Sequence, residues 1–162
     1  MIDHFTLKVS DYARSKPFYV AALEPLGYAV AMEYGGGCGM GVAGKPDLWL
    51  VQDLENTRPM HFAFHTEDRG VVEAFHEAAM QAGGRDNGPP GIRKDYHPNY
   101  YGAFVLDPDG HNVEVVCHAP PLAAARRAAR SKAARAKAKV AAPRAGTRKK
   151  PVARKGARRP RR

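Results

Sequence analysis

Residues 60–68 read Met60-His61-Phe62-Ala63-Phe64-His65-Thr66-Glu67-Asp68, and the chain opens on Ile2-Asp3-His4-Phe5-Thr6-Leu7-Lys8-Val9-Ser10-Asp11. At an offset of 57 residues, His4-Phe5 falls on His61-Phe62 and Asp11 on Asp68. The same offset carries Phe18 onto Phe75, Ala21-Ala22 onto Ala78-Ala79 and Gly27 onto Gly84, seven identities in one register. A repeat of this length means two copies of one supersecondary unit, each too small to bury its apolar face alone.

Each copy predicts the same string of elements. In the first, Phe5, Leu7 and Val9 alternate with His4, Thr6 and Lys8, a strand over Ile2 to Val9. Ser10 or Asp11 supplies a helix N-cap, and Phe18, Ala22 and Leu26 follow at helical spacing up to Gly27. An interior proline costs about 3 kcal/mol, so the regular helix is expected to start near Ser15 with Pro17 in its first turn. Short strands are expected over Tyr28–Glu33, Cys38–Val42 and Leu48–Val51. The second copy reads as a strand over Met60–Thr66, then a helix capped by Asp68 with the stripe Val71, Val72, Phe75, Ala79 and Ala82. Gly88-Pro89-Pro90-Gly91 reads as a long connection. Strands over Tyr101–Leu106 and Asn112–Cys117 then flank the turn Asp107-Pro108-Asp109-Gly110. The order is β-α-β-β-β, twice.

Of 162 residues, 1–120 hold nine Lys and Arg against sixteen Asp and Glu, whereas 121–162 hold seventeen Lys and Arg and no acid. The net charge of +10 therefore belongs to a tail, and the folded part is acidic. The domain is expected over 1–118, with modules of about 1–53 and 59–118. The Ala/Lys/Arg/Pro-rich stretch 119–162 is expected to be disordered, for it has too few large apolar residues to offset the entropy of ordering. Its charge suits nonspecific attraction to nucleic acid, and with no aromatic residue it cannot stack on bases. A solubilising extension without a partner is the plainer alternative. No apolar run reaches the roughly 18–20 residues of a membrane span, and the N-terminus lacks the basic and apolar regions of a secretory signal. Cys38 and Cys117 form no Cys-x-x-Cys, which excludes a zinc ribbon and fits a reducing cytoplasm.

Strand parity sorts the chemistry. Phe5, Leu7 and Val9 face the covering helix, as do Phe62 and Phe64, and Val113, Val115 and Cys117. His4, His61 and Glu114 therefore project from the opposite, open face of their strands, with His4 and His61 at equivalent positions of the repeat. Two imidazoles and a carboxylate form the ligand set of a 2-His-1-carboxylate centre, suited to Fe, Mn, Zn, Ni or Co and leaving positions open for substrate. The alternative makes them ordinary polar strand residues, water-satisfied. His65 shares the open face and is a candidate base. Lys8 is a candidate contact for an anionic substrate. The run His97-Pro98-Asn99-Tyr100-Tyr101 suits a lid over a cavity. His111 and His76 are expected to face solvent.

These marks resemble the vicinal oxygen chelate superfamily of glyoxalase I, bleomycin and fosfomycin resistance proteins and extradiol dioxygenases. They are Ile2-Asp3-His4, Ser10-Asp11 before a helix with Phe18-Tyr19, Met60-His61-Phe62, and Asp107-Pro108-Asp109-Gly110-His111-Asn112-Val113-Glu114. The resemblance covers residues 1–118. It implies an α+β fold of two βαβββ modules whose mixed sheets curl around a central cavity, often assembled as a homodimer. It also implies a divalent metal on His4, His61 and Glu114, and a lyase, isomerase or dioxygenase acting on a small molecule through its vicinal oxygens. Aligning Asp47-Leu48-Trp49-Leu50-Val51 on Asn112-Val113-Glu114-Val115-Val116 puts Trp49 where glyoxalase I takes a fourth ligand, so Trp49 is expected to wall the cavity. His97 precedes the Asp-Pro-x-Gly turn as in extradiol dioxygenases, but Phe104 stands at their tyrosine, leaving Tyr100 or Tyr101 to supply a phenol. The alternative function is a metal-free pocket that sequesters a drug.

Overall fold

A computed structural model of the chain describes residues 2–55 and 57–121. The basic tail expected over 119–162 lies outside the described residues beyond Pro121. Met1–Pro121 forms one compact unit. Its elements run β1 (Phe5–Val9), α1 (Tyr12–Leu23), β2 (Tyr28–Tyr34), β3 (Gly37–Val42), β4 (Lys45–Gln52), β5 (His61–Thr66), α2 (Arg69–Gln81), β6 (Arg85–Ile92), β7 (Tyr101–Leu106) and β8 (Asn112–Cys117), with a short 3₁₀ turn over Glu24–Leu26.

The strands form two four-stranded mixed sheets of identical topology, β1-β4-β3-β2 and β5-β8-β7-β6. In each, the first strand pairs parallel to the last and the other pairs are antiparallel. The fold is α+β, two βαβββ modules with one helix apiece. The helix-facing residues Leu7, Val9, Leu48, Leu50, Val113, Val115 and Cys117 are fully buried, beside Phe18, Tyr19 and Ala22 of α1 and Val72, Phe75 and Ala79 of α2. One apolar core thus runs under both helices, and the opposite face of each sheet carries no helix. On β1 and β5 the parity is as read, with Thr6, Lys8, His61, Ala63 and His65 exposed.

Two elements differ from expectation. Helix α1 starts three residues before Ser15 and keeps Pro17 in its interior. Its start is fixed by Asp11, whose carboxylate accepts from the Arg14 N–H at 3.2 Å and whose carbonyl accepts from the Ser15 N–H at 3.0 Å. Such a cap stabilises a helix by about 1 kcal/mol and offsets part of the proline's cost. Gly88-Pro89-Pro90-Gly91 is no connection but lies within β6, whose register with β7 shifts around Gly88. Strand β6 is the edge of its sheet, where proline's missing N–H breaks no ladder on the outer side.

His111, expected in solvent, is 1% exposed. The turn Asp107–Gly110 folds inward against the first module and pins the two together. The Tyr19 hydroxyl donates to Asp107 at 2.7 Å, and the Ser10 N–H and hydroxyl both donate to Asp109. His111 Nε2 meets the Lys8 carbonyl at 3.0 Å, and its Nδ1 accepts from the Met60 N–H at 3.2 Å. An imidazole has a donor on one side and an acceptor on the other, which suits it to bridge two backbone groups. His76, also expected in solvent, is half-buried, its Nε2 lying 2.9 Å from Asp86.

Candidate functional site

Strand β8 carries Glu114 on the open face of the second sheet, flanked by Ala63 of β5 and Phe104 of β7. Glu114 is 2% exposed, although an ionised carboxylate loses much of its hydration when buried. Its two oxygens are held separately. Oε2 lies 2.9 Å from His61 Nε2, and Oε1 accepts from the Tyr100 hydroxyl at 2.5 Å. Gly102 makes the room: a Cβ there would stand 3.1 Å from Glu114 Oε1 and 3.2 Å from the Tyr100 ring. Burial, and then the Glu114 carboxylate, push the Tyr100 hydroxyl far above the usual phenol range. Tyr100 therefore keeps its proton at neutral pH and serves as a donor.

Around this pair the second module gathers aromatic and imidazole rings. The Tyr100 ring meets His118 at 5.0 Å, which stacks on His65 at 5.7 Å and has His97 edge-on at 6.1 Å. His65 Nε2 lies 3.5 Å from Glu67. Sequence parity does not place His118, one residue past its strand. Tyr101 turns the other way: its hydroxyl donates to Glu73 of α2 at 2.8 Å and its ring lies under Arg69, on the helix side of the sheet.

The open face of the first module differs. Thr6 pairs with Trp49, and the second sheet repeats this with Ala63 and Glu114, so Trp49 stands where the second module has its buried acid. The Trp49 ring lies over Gly39 and 6.4 Å from Tyr34. Lys8 is engaged by Asp53 at 2.9 Å. His4 is exposed, its Nδ1 2.8 Å from Asp3, and it lines a separate cleft of 210 Å³ with Phe5, Tyr28, Asp47 and Phe64. One chain thus brings His61 and Glu114 together but does not bring His4 to them. Among the described residues, Asp107, Asp109 and His111 form the group of ligand atoms all within 4.8 Å of one another. That group is saturated by the seam bonds above, and an ion would have to break them. The His61–Glu114 pair is different: adjacent ligands each about 2.1 Å from an ion stand about 3 Å apart, which their 2.9 Å separation matches. A neutral imidazole and a buried carboxylate are also the donor chemistry a divalent ion takes.

Residues 1–115 match the Glyoxalase/Bleomycin resistance protein/Dioxygenase superfamily. The chain belongs to this superfamily. The fold is shared with solved members at low identity. A glyoxalase/bleomycin resistance protein from Albidiferax ferrireducens T118 is 23% identical with a TM-score of 0.61, covering 74% of this chain and 98% of that one. The oxidase ChaP-H2 is 22% identical with a TM-score of 0.53, covering 75% and 94%. A glyoxalase-related enzyme from Fulvimarina pelagi is 21% identical with a TM-score of 0.53, covering 72% and 87%. No curated protein matches the sequence significantly. Among the described residues no helix is long and apolar enough to cross a membrane.

Proposed function

We propose that this superfamily member is a divalent-metal enzyme acting on a small molecule with vicinal oxygens. Its ion is held by His61 and Glu114 of one copy and His4 of a second copy. The observation that carries the reading is the buried Glu114 carboxylate, set 2.9 Å from His61 on the face of the second sheet that no helix covers. Burying a carboxylate is costly without a compensating positive charge, and among the described residues the charge-capable partner of Glu114 is His61 alone. The second copy is supported by two features. His4 opens into a different cleft from His61, and neither sheet has a helix on its second face, with Met32 and Tyr34 about half exposed on the first. Joining the first module of one copy to the second module of another would cover both faces.

When bound, such an ion polarises chelated oxygens as a Lewis acid. The chain's residues do the rest. Glu114 and His61 set the position of the ion, and Tyr100 holds the Glu114 carboxylate in one orientation. Trp49, lacking any ligand atom, walls the site. His65 and His118, stacked beside Tyr100, are placed to exchange a proton with the substrate. The tail adds a separate function: seventeen positive charges without an acid favour duplex nucleic acid. Truncation after Pro121 would abolish that binding in a salt titration, and its survival would refute the assignment.

Elemental analysis of the purified full chain tests the metal. The expected result is close to one ion per chain, lost in His61→Ala and in Glu114→Ala. Full metal content in both variants would overturn the site. A metal-free native chain that binds a drug-sized ligand would favour the sequestering alternative.

A further inference from the structure

The sequence run Gly88-Pro89-Pro90-Gly91 has no part in the metal pair, yet the fold builds something with it. The side chain of Arg93 folds back along this edge of the sheet. Its Nη2 donates to the Pro89 carbonyl at 2.7 Å, and the guanidinium lies over the Phe104 ring at 5.3 Å. Both glycines give it room. A Cβ at Gly88 would stand 3.1 Å from Nη2, and one at Gly91 would stand 3.0 Å from Nη1. Gly88 also has φ 149°, which disfavours any other residue. Prolines at 89 and 90 stiffen the strand between them, so the guanidinium is held in a preformed cradle.

Arg93 is half-buried and makes no ion pair among the described residues. Asp86, the carboxylate whose titration it influences, is already engaged by His76 at 2.9 Å and by the Gly88 N–H. A guanidinium carries five N–H donors in a planar fork, and the protein takes one of them here. The cleft beside it measures 560 Å³ and is lined by His61, Asn87, Gly88, Pro89, Arg93 and Phe104, among others. Phe104 links the two ends, since its ring also lies 6.0 Å from the His61 imidazole.

We infer that Arg93 is the anion-binding end of the substrate cleft and selects small carboxylic acids, gripping the carboxylate while the rest of the molecule extends over Phe104 toward His61. A carboxylate matches the fork with two parallel N–H···O bonds, and the Phe104 ring beneath limits competition from water. The inference rests on the cleft beside His61 being the substrate face, and its test is run without metal so that the two can fail separately.

The experiment is calorimetric titration of the chelator-treated full chain with two acid–amide pairs, 2-hydroxybenzoate with 2-hydroxybenzamide and lactate with lactamide. The native chain is expected to bind at least one acid about tenfold or more tightly than its amide, the margin of a charge-assisted bidentate pair. Arg93→Gln should remove that preference and leave amide binding unchanged, and Arg93→Lys should restore only part of it. Metal content should be the same in all three proteins. No acid preference in the native chain, or a preference that survives Arg93→Gln, would overturn the assignment even if one ion per chain is present.

Discussion

The two modules repeat one topology and the register of its parallel strand pair, but they use the face away from the helix differently. In the second, Ala63 pairs with Glu114, and the acid is buried between His61 and Tyr100. In the first, the equivalent pair is Thr6 with Trp49, and the acid's place is taken by an indole over Gly39. The helix-facing sides are interchangeable, apolar and buried in both. A repeat therefore preserves what the core demands, while the positions pointing away from the core are free to diverge into chemistry. One module keeps the His61–Glu114 pair, and the other carries Trp49 in the acid's place.

The largest effect on stability should come from the seam that holds the modules in register. Asp107 accepts from the Tyr19 hydroxyl and from the Asp109 and His111 N–H groups, so Asp107→Ala strands two buried donors and one half-buried one. A loss of about 3 kcal/mol is expected in urea unfolding, because each stranded donor costs roughly 1 kcal/mol or more. Asp107→Asn should lose less, for burial raises the Asp107 carboxyl above its ordinary value and so works against its charge. A drop below about 0.5 kcal/mol for the alanine variant would show that the seam is not what joins the modules.

Trp49→Glu makes the first module a closer copy of the second. With a carboxylate at the Glu114-equivalent position, metal affinity should rise about tenfold, roughly 1.4 kcal/mol, as one more anionic ligand is added. Competition with a fluorescent chelator measures this. Unchanged affinity would mean that the matched registers do not bring Trp49 to the ion.

The smallest effect concerns how each helix is clipped to its sheet edge. Lys16 of α1 holds Glu33 of β2 at 2.6 Å, and His76 of α2 holds Asp86 of β6 at 2.9 Å. Lys16 chiefly lowers the Glu33 carboxyl below its ordinary 4.5, and His76 chiefly lowers the Asp86 carboxyl below 3.8. A depressed carboxyl contributes stability above its unfolded value and loses it as pH falls through its folded value. Thermal melts of Glu33→Gln and Asp86→Asn should therefore converge on the native curve as pH falls below about 4. Parallel melts at every pH would remove both clips from the account.

What was legible in the sequence follows from the same division. Alternation along β1, β5 and β8 identified the buried and open faces because an apolar core enforces parity. The helices were visible from their caps and stripes, although Asp11 proved strong enough to start α1 ahead of Pro17. Strand β6 was hidden because prolines and glycines mask a strand when it lies at an edge. His111 was missed for a related reason: a residue in a polar turn reads as exposed unless one knows that the turn packs against another module. Arg93 left no trace at all, since its contacts with Pro89 and Phe104 come from the way the chain folds back at Gly88 and Gly91. Parity also assigned His4, His61 and Glu114 to the faces away from the helices, although β1 begins at Phe5 and leaves His4 just outside it. Whether those faces meet within a chain or between chains is a matter of packing, and periodicity carries no information about it.

The central claim is that one ion is shared by the first module of one copy and the second module of another. Intersubunit complementation tests it most directly. His4→Ala and Glu114→Ala chains are purified separately, freed of metal, mixed in equal amounts under conditions that exchange subunits, and assayed for bound divalent ion. In a hybrid dimer one site loses both ligands and the other keeps all three. Mixing two metal-deficient proteins should therefore restore about a quarter of the native ion content, since half of the randomly paired dimers are hybrids with one intact site of two. If each site is built within a single chain, no pairing of the two variants can repair it, and a mixture binding no more metal than its parents would contradict the account.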